Sequence, residues 1–173
     1  MKTFILGIVA AIILFAAGAY ILAATGSLPV ATASSPLPFE KSLAKMALNA
    51  RIKHEMPKDV PIQPDEANLL AGAHVYAEHC AVCHGLPGQP KAAIAKGMFP
   101  EPPELFHGKG VTDDPPGESY WKTVNGIRLS GMPGFKGNIS DMELWQVSLL
   151  VANADKISPA VKAALTEKPA SVQ

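Results

Sequence analysis

Cysteine and aromatic side chains are both scarce in this chain of 173 residues. Cys80 and Cys83 are the only cysteines, so no disulfide framework can staple the fold. A bridge across the two intervening residues would close almost no loop. No second cysteine pair exists to complete a zinc site. Aromatics make up 6% of residues, and a small domain so poor in large apolar side chains would gain much from a bulky buried cofactor. Neither sign of charge is in excess, with 15 basic and 15 acidic residues, and no basic stripe is interleaved with aromatics. Nucleic-acid binding is therefore set aside. No internal repeat, nucleophile elbow, zinc signature or phosphate-cradling glycine loop is found.

Proline, by contrast, is plentiful at 16 residues, about twice the usual share of roughly 5%. Many fall between residues 29 and 64 and between 87 and 116, which predicts loops rather than a sheet-rich core. The stretch from Phe4 to Ala24 carries no charge. As a helix at about 1.5 Å per residue it reaches roughly 30 Å, the thickness of a bilayer's hydrocarbon core. Lys2 precedes it and no basic residue follows before Lys41, so the remainder should lie outside the cytoplasm. The run is longer than the apolar part of an ordinary cleaved signal, which favours an uncleaved anchor. Ala31-Thr32-Ala33 still offers a small-x-small cleavage site, and both readings export the domain.

These patterns divide the chain into four segments: an anchor over 1–24, a linker over 25–60, a main domain over 61–154 and a tail over 155–173. Within the linker, Phe39, Leu43, Met46 and Ala50 recur at helical spacing and predict a short amphipathic helix over about 39–54. It would serve as a spacer packed on the main domain, or lie on a membrane surface. Asp65 and Glu66 suit a helix start, and Leu69, Ala73, Tyr76 and Cys80 mark one face of a helix of about sixteen residues ending at Gly85. A short helical piece is expected around Ser119 to Val124. Ser140-Asp141-Met142-Glu143 fits a capping box for a last core helix, Asp141 to Asn153. A short helix from Pro159, capped by Ser158, would come after it.

Cys80-Ala81-Val82-Cys83-His84 carries the chemistry. On a helix, positions three apart share a face, so both sulfurs can approach the two vinyl edges of one porphyrin. His84, four beyond Cys80, projects from that face and can place an imidazole nitrogen on iron. This spacing is that of c-type haem attachment. A redox dithiol would need a βαβ context, and the flanks here are helical and proline-rich.

From about residue 61 to 154 the chain resembles a class I (mitochondrial-type) cytochrome c domain, above all the single-haem bacterial ones. Gly72, Tyr76 and Cys80 match that family's first helix, where glycine lets a second helix cross closely and the aromatic fills the crossing. The resemblance implies an all-α fold, three to five helices around one covalent haem c, preceded here by a transmembrane helix. It places the partner helix at Asp141–Asn153, although Leu150 stands where an aromatic is common and Trp145 would have to compensate. It also implies a methionine as second axial ligand in the loop before the last helix, where Met132 matches within Gly131-Met132-Pro133-Gly134. Met98 is the rival methionine, and His74, His79 and His107 are the rival histidines; His54 reads as a surface residue. The resemblance further suggests Pro100, Pro102 or Pro103 as acceptor for the other His84 nitrogen, and Tyr120, Trp121 or Arg128 as partners of the haem propionates.

With His84 and Met132 both bound, iron has no open position, which favours outer-sphere electron transfer. The expected role is a single-electron carrier, not itself an enzyme, or the haem subunit of a respiratory complex. It would sit as a single-pass protein in the cytoplasmic membrane with its haem domain on the periplasmic side, working with redox protein partners. A haem-based sensor or peroxidase with a labile sixth ligand is the alternative.

Overall fold

A computed structural model describes residues 1–106 and 114–166. Two compact units divide at Lys41 and Ser42. In the first, helix α1 (Lys2–Ala24) buries none of its residues and is long and apolar enough to cross a membrane. It ends where the Thr25 hydroxyl donates to the Ile21 carbonyl at 2.8 Å, ahead of Gly26 at φ +73°.

The second unit is helical, and among the described residues its only β feature is an isolated bridge between Lys136 and Ile139. Helix α2 (Glu40–Glu55) enters it from Ser42 onward. Its packed face differs from the expected one. Leu43 and Met46, two members of the stripe read from sequence, are exposed, whereas Ile52 is 2% exposed. The sequence holds a second apolar stripe, Leu48–Ile52–Met56, at four-residue steps, and this one is buried or half-buried.

Asp65 caps α3 (Glu66–Val75), its carboxylate accepting from the Asn68 amide at 2.8 Å. The helix then departs from the uninterrupted α-helix expected. Tyr76–Cys80 forms a π turn, closed by the Ala81 amide on the Tyr76 carbonyl, before the short α4 (Ala81–His84). A π turn holds one extra residue and so rotates the residues beyond it relative to the preceding face. Leu69, Ala73 and Tyr76 pack in the core, Cys80 packs against it, and Cys80, Cys83 and His84 line a cavity that Tyr76 also reaches. Gly85 ends the segment at φ +77°, a left-handed conformation glycine adopts freely.

After α5 (Ala93–Lys96) come α6 (Pro116–Asn125), α7 (Asp141–Ala152) and α8 (Pro159–Thr166). The capping box forms as expected: Ser140 Oγ accepts from the Glu143 amide and the Glu143 carboxylate accepts from the Ser140 amide at 3.0 Å. Helix α3 crosses α7 at Gly72, where an added Cβ would stand 2.4 Å from the Gln146 carbonyl oxygen. Leu150 is fully buried beside that crossing. Trp145 does not compensate there. It stacks on Tyr120 of α6 with ring centroids 4.0 Å apart and so joins α6 to α7. The core continues past Ala154 into Ile157, Val161 and Leu165. Ser158 ties α8 to α3, its hydroxyl donating to Glu66 at 2.7 Å.

Candidate functional site

The second unit encloses a cavity of about 1120 Å³ whose walls are chiefly apolar. That exceeds the roughly 300–1,000 Å³ of ordinary small-molecule sites. Cys80, Cys83, His84 and Met132 all line it. Both cysteines are free thiols and half-buried. Burial, reinforced by Cys83, pushes the Cys80 thiol up to about 12, so it is protonated at neutral pH.

His84 is fixed by its surroundings. Its Nδ1 lies 2.8 Å from the Pro103 carbonyl oxygen, which singles out Pro103 among the three candidate prolines. A carbonyl can only accept, so Nδ1 carries the hydrogen and Nε2 is left with its lone pair. Burial pulls the imidazole below its ordinary value, the Pro103 contact opposes this and the Lys91 charge adds to it. A neutral, oriented imidazole is the form a metal requires. Tyr76 braces the same segment, donating to the Gly85 carbonyl at 2.7 Å and meeting Phe106 edge-on. Burial, with Cys80 adding, pushes the Tyr76 phenol far up, so it remains a donor.

Met132 sits on a loop cinched at its neck. An added Cβ at Gly126 would fall 2.5 Å from the Gly134 nitrogen, so the two strands of the loop touch there. Inside the loop the Ile127 amide donates to the Met132 carbonyl at 3.1 Å and the Met132 amide to Ser130 Oγ at 3.2 Å. Met98 also lines the cavity, and its thioether lies against Gly131, where a Cβ would meet Met98 Cε at 2.6 Å.

Among the histidines, His79 lines the cavity and His74 and His54 are exposed outside it, while His107 lies outside the described residues. Tyr120, Trp121 and Arg128 do not line the cavity. Tyr120 bonds Asp141, Trp121 donates to Glu55 at 3.1 Å, and Arg128 is exposed. Sequence reasoning missed the contribution of α2, from which Lys45, Leu48, Asn49, Ile52 and Lys53 reach the cavity, joined by Met56 just past its end. The signal was present as two adjacent four-residue stripes, outside the stretch that carried the family resemblance.

A large apolar cavity with two thiols one helical turn apart, and an oriented neutral imidazole beside them, fits a haem. The all-helical fold and the cavity fit a small cytochrome c domain, the class that transfers electrons through haem. Residues 67–149 match the family described as cytochrome C oxidase, cbb3-type, subunit III. The chain is 32% identical over 91 residues to thiosulfate dehydrogenase of Stutzerimonas stutzeri (strain A1501), covering 52% of this chain and 28% of that relative. The chain therefore spans less than a third of that relative's length. A solved structure, the reducing HAO-like protein complex of Kuenenia stuttgartiensis, is similar at 28% identity with a TM-score of 0.48, over 59% of this chain and 52% of that one.

Proposed function

We propose that this protein transfers single electrons through one haem c, attached at Cys80 and Cys83, with His84 and Met132 as axial ligands. It would work as a membrane-tethered carrier or as the haem subunit of a respiratory complex, with its haem domain on the periplasmic side. The observation that carries the reading is the gathering of these four side chains around one apolar cavity, with His84 Nδ1 held on Pro103. Helix α1 supports the tether by its length and apolar composition.

Bound haem supplies a one-electron iron couple, and a thioether ligand favours the reduced state. The protein's share is geometric. Cys80 and Cys83 would fix one edge of the group, Pro103 orients the ring of His84, and the cinched loop would present Met132. Tethering by α1 would raise the effective concentration of the haem near membrane-bound donors and acceptors.

Covalent attachment is tested by the visible spectrum of denatured protein from a host that attaches haem, where colour must survive denaturation. In Met132→Ala the long-wavelength sulfur-to-iron(III) charge-transfer band should vanish and the reduced protein should gain carbon monoxide binding. Retention of the band in Met132→Ala with its loss in Met98→Ala would assign the ligand to Met98 and refute this part. Tight carbon monoxide binding by the unaltered protein would instead favour the sensor or peroxidase reading.

A further inference from the structure

We infer that helix α2, upstream of the family-matched segment, forms a wall of the haem cavity and receives the haem carboxylates on Lys45 and Lys53. The inference rests on the haem reading above. Two stripes of α2 reach the cavity side by side: Leu48 and Ile52, continued by Met56 just past the helix end, are apolar, and Lys45, Asn49 and Lys53 are polar. Both stripes step by four residues, so each lies along one line of the helix surface. The apolar stripe can seat α2 against the group, which sets the lysines at the rim.

The helix is held in place independently of any cofactor. Glu55 accepts from Trp121 Nε1 of α6 at 3.1 Å. Just beyond it, the Pro57 carbonyl presses on Gly117 of α6, where a Cβ would stand 2.0 Å away. Only glycine permits that approach.

Charge accounting then selects the lysines. A haem held by its vinyl edge still carries two propionates, and anions in an apolar cavity need cations or water. The other charged or titratable side chains lining the cavity, besides Tyr76 and the Cys80–His84 motif, are His79, Glu101, Asp114, Glu118 and Lys122. Glu101 is bridged by Lys91 at 2.7 Å, and Lys122 holds both Asp114 and Glu118 at 2.7 Å. Among the described residues Lys45 and Lys53 are in no ion pair and line the same space. They are exposed, so the contact would act on the electrostatics of the haem rather than on the stability of the fold.

The test uses the full-length haem-loaded protein. Lys45→Gln/Lys53→Gln is compared with Lys156→Gln/Lys162→Gln, two exposed lysines that do not line the cavity and give the same change in net charge. The readout is the reduction potential followed across pH by spectroelectrochemistry. A propionate that loses its cation titrates at higher pH, so the break in the potential–pH profile should move upward in the α2 variant and stay put in the control. An unmoved break in the α2 variant, with haem covalently attached, overturns the inference and leaves the haem reading intact. Absence of covalent haem from the unaltered protein overturns both.

Discussion

Gly72→Ala tests the packing that positions the site, because two physical effects predict opposite signs. Gly72 lies in the interior of α3, and alanine there gains about 0.8–1.0 kcal/mol of helix propensity. If the crossing had room, the variant would be stabilised by that amount. The structure gives it none: the new methyl would stand 2.4 Å from the Gln146 carbonyl oxygen, 2.7 Å from its carbon and 3.2 Å from Leu150 Cβ. Two of these atoms are backbone, so no rotamer change relieves the clash and α3 and α7 must part by more than half an ångström. Overpacking of this kind costs typically about 1–3 kcal/mol, and a rigid backbone neighbour argues for the upper half. After the propensity gain, a net loss of about 1–2 kcal/mol is expected, which lowers the unfolding midpoint by several degrees. Val147, Ser148 and Val151 of α7 line the cavity, so the same displacement should disturb the haem spectrum. The assay is thermal unfolding of matched haem-loaded proteins. An unchanged or raised midpoint would refute the close crossing.

Removing the Tyr76 hydroxyl in Tyr76→Phe leaves the Gly85 carbonyl without its donor and should cost about 1 kcal/mol in denaturant unfolding. Ser140→Ala should cost about 1 kcal/mol by undoing the cap of α7. The Ser140 contacts hold the Glu143 carboxyl below its usual range, so their contribution is present above the ordinary carboxylate pKa and fades as pH falls through the lower folded value. The gap between Ser140→Ala and the unaltered protein should accordingly narrow in acid; a gap that widens there would contradict the assignment.

Local signals with a single physical cause were legible in the sequence. The Ser140–Glu143 box, the glycine at the α3–α7 crossing and the turn at Gly85 each depend on one residue type whose chemistry admits few alternatives. The gathering of Cys80, Cys83, His84 and Met132 followed from motif and resemblance. Where two patterns competed, the sequence could not arbitrate. Helix α2 carries one apolar stripe through Leu43 and Met46 and another through Leu48, Ile52 and Met56, and periodicity weights them alike. The second is the one turned inward, with Ile52 buried and Leu48 and Met56 half-buried, alongside tertiary contacts that a single helix does not encode, the Trp121–Glu55 bond and the Pro57–Gly117 contact. The π turn was illegible for a related reason, since one inserted residue leaves the sequence pattern helical while turning the next face.

The arrangement around the cavity also bears on why a one-electron role suits these residues. On the proposed reading, iron keeps both ligands through each change of oxidation state, and a site that must not rearrange benefits from ligands held by their own surroundings. His84 has its ring plane set by Pro103. The Met132 loop is shut at its neck by Gly126 and Gly134, bonded internally at Ile127 and Ser130, and overlaid by Met98 at Gly131. The neck is the point to strike. Gly126 has φ +67° and would bring a Cβ within 2.5 Å of the Gly134 nitrogen, so alanine there meets both strain and clash. Gly126→Ala should weaken the sulfur-to-iron band and admit carbon monoxide while leaving the covalent haem in place. Full retention of the band would show that Met132 reaches iron without needing the closed loop, and the structural case for a preset ligand would fail.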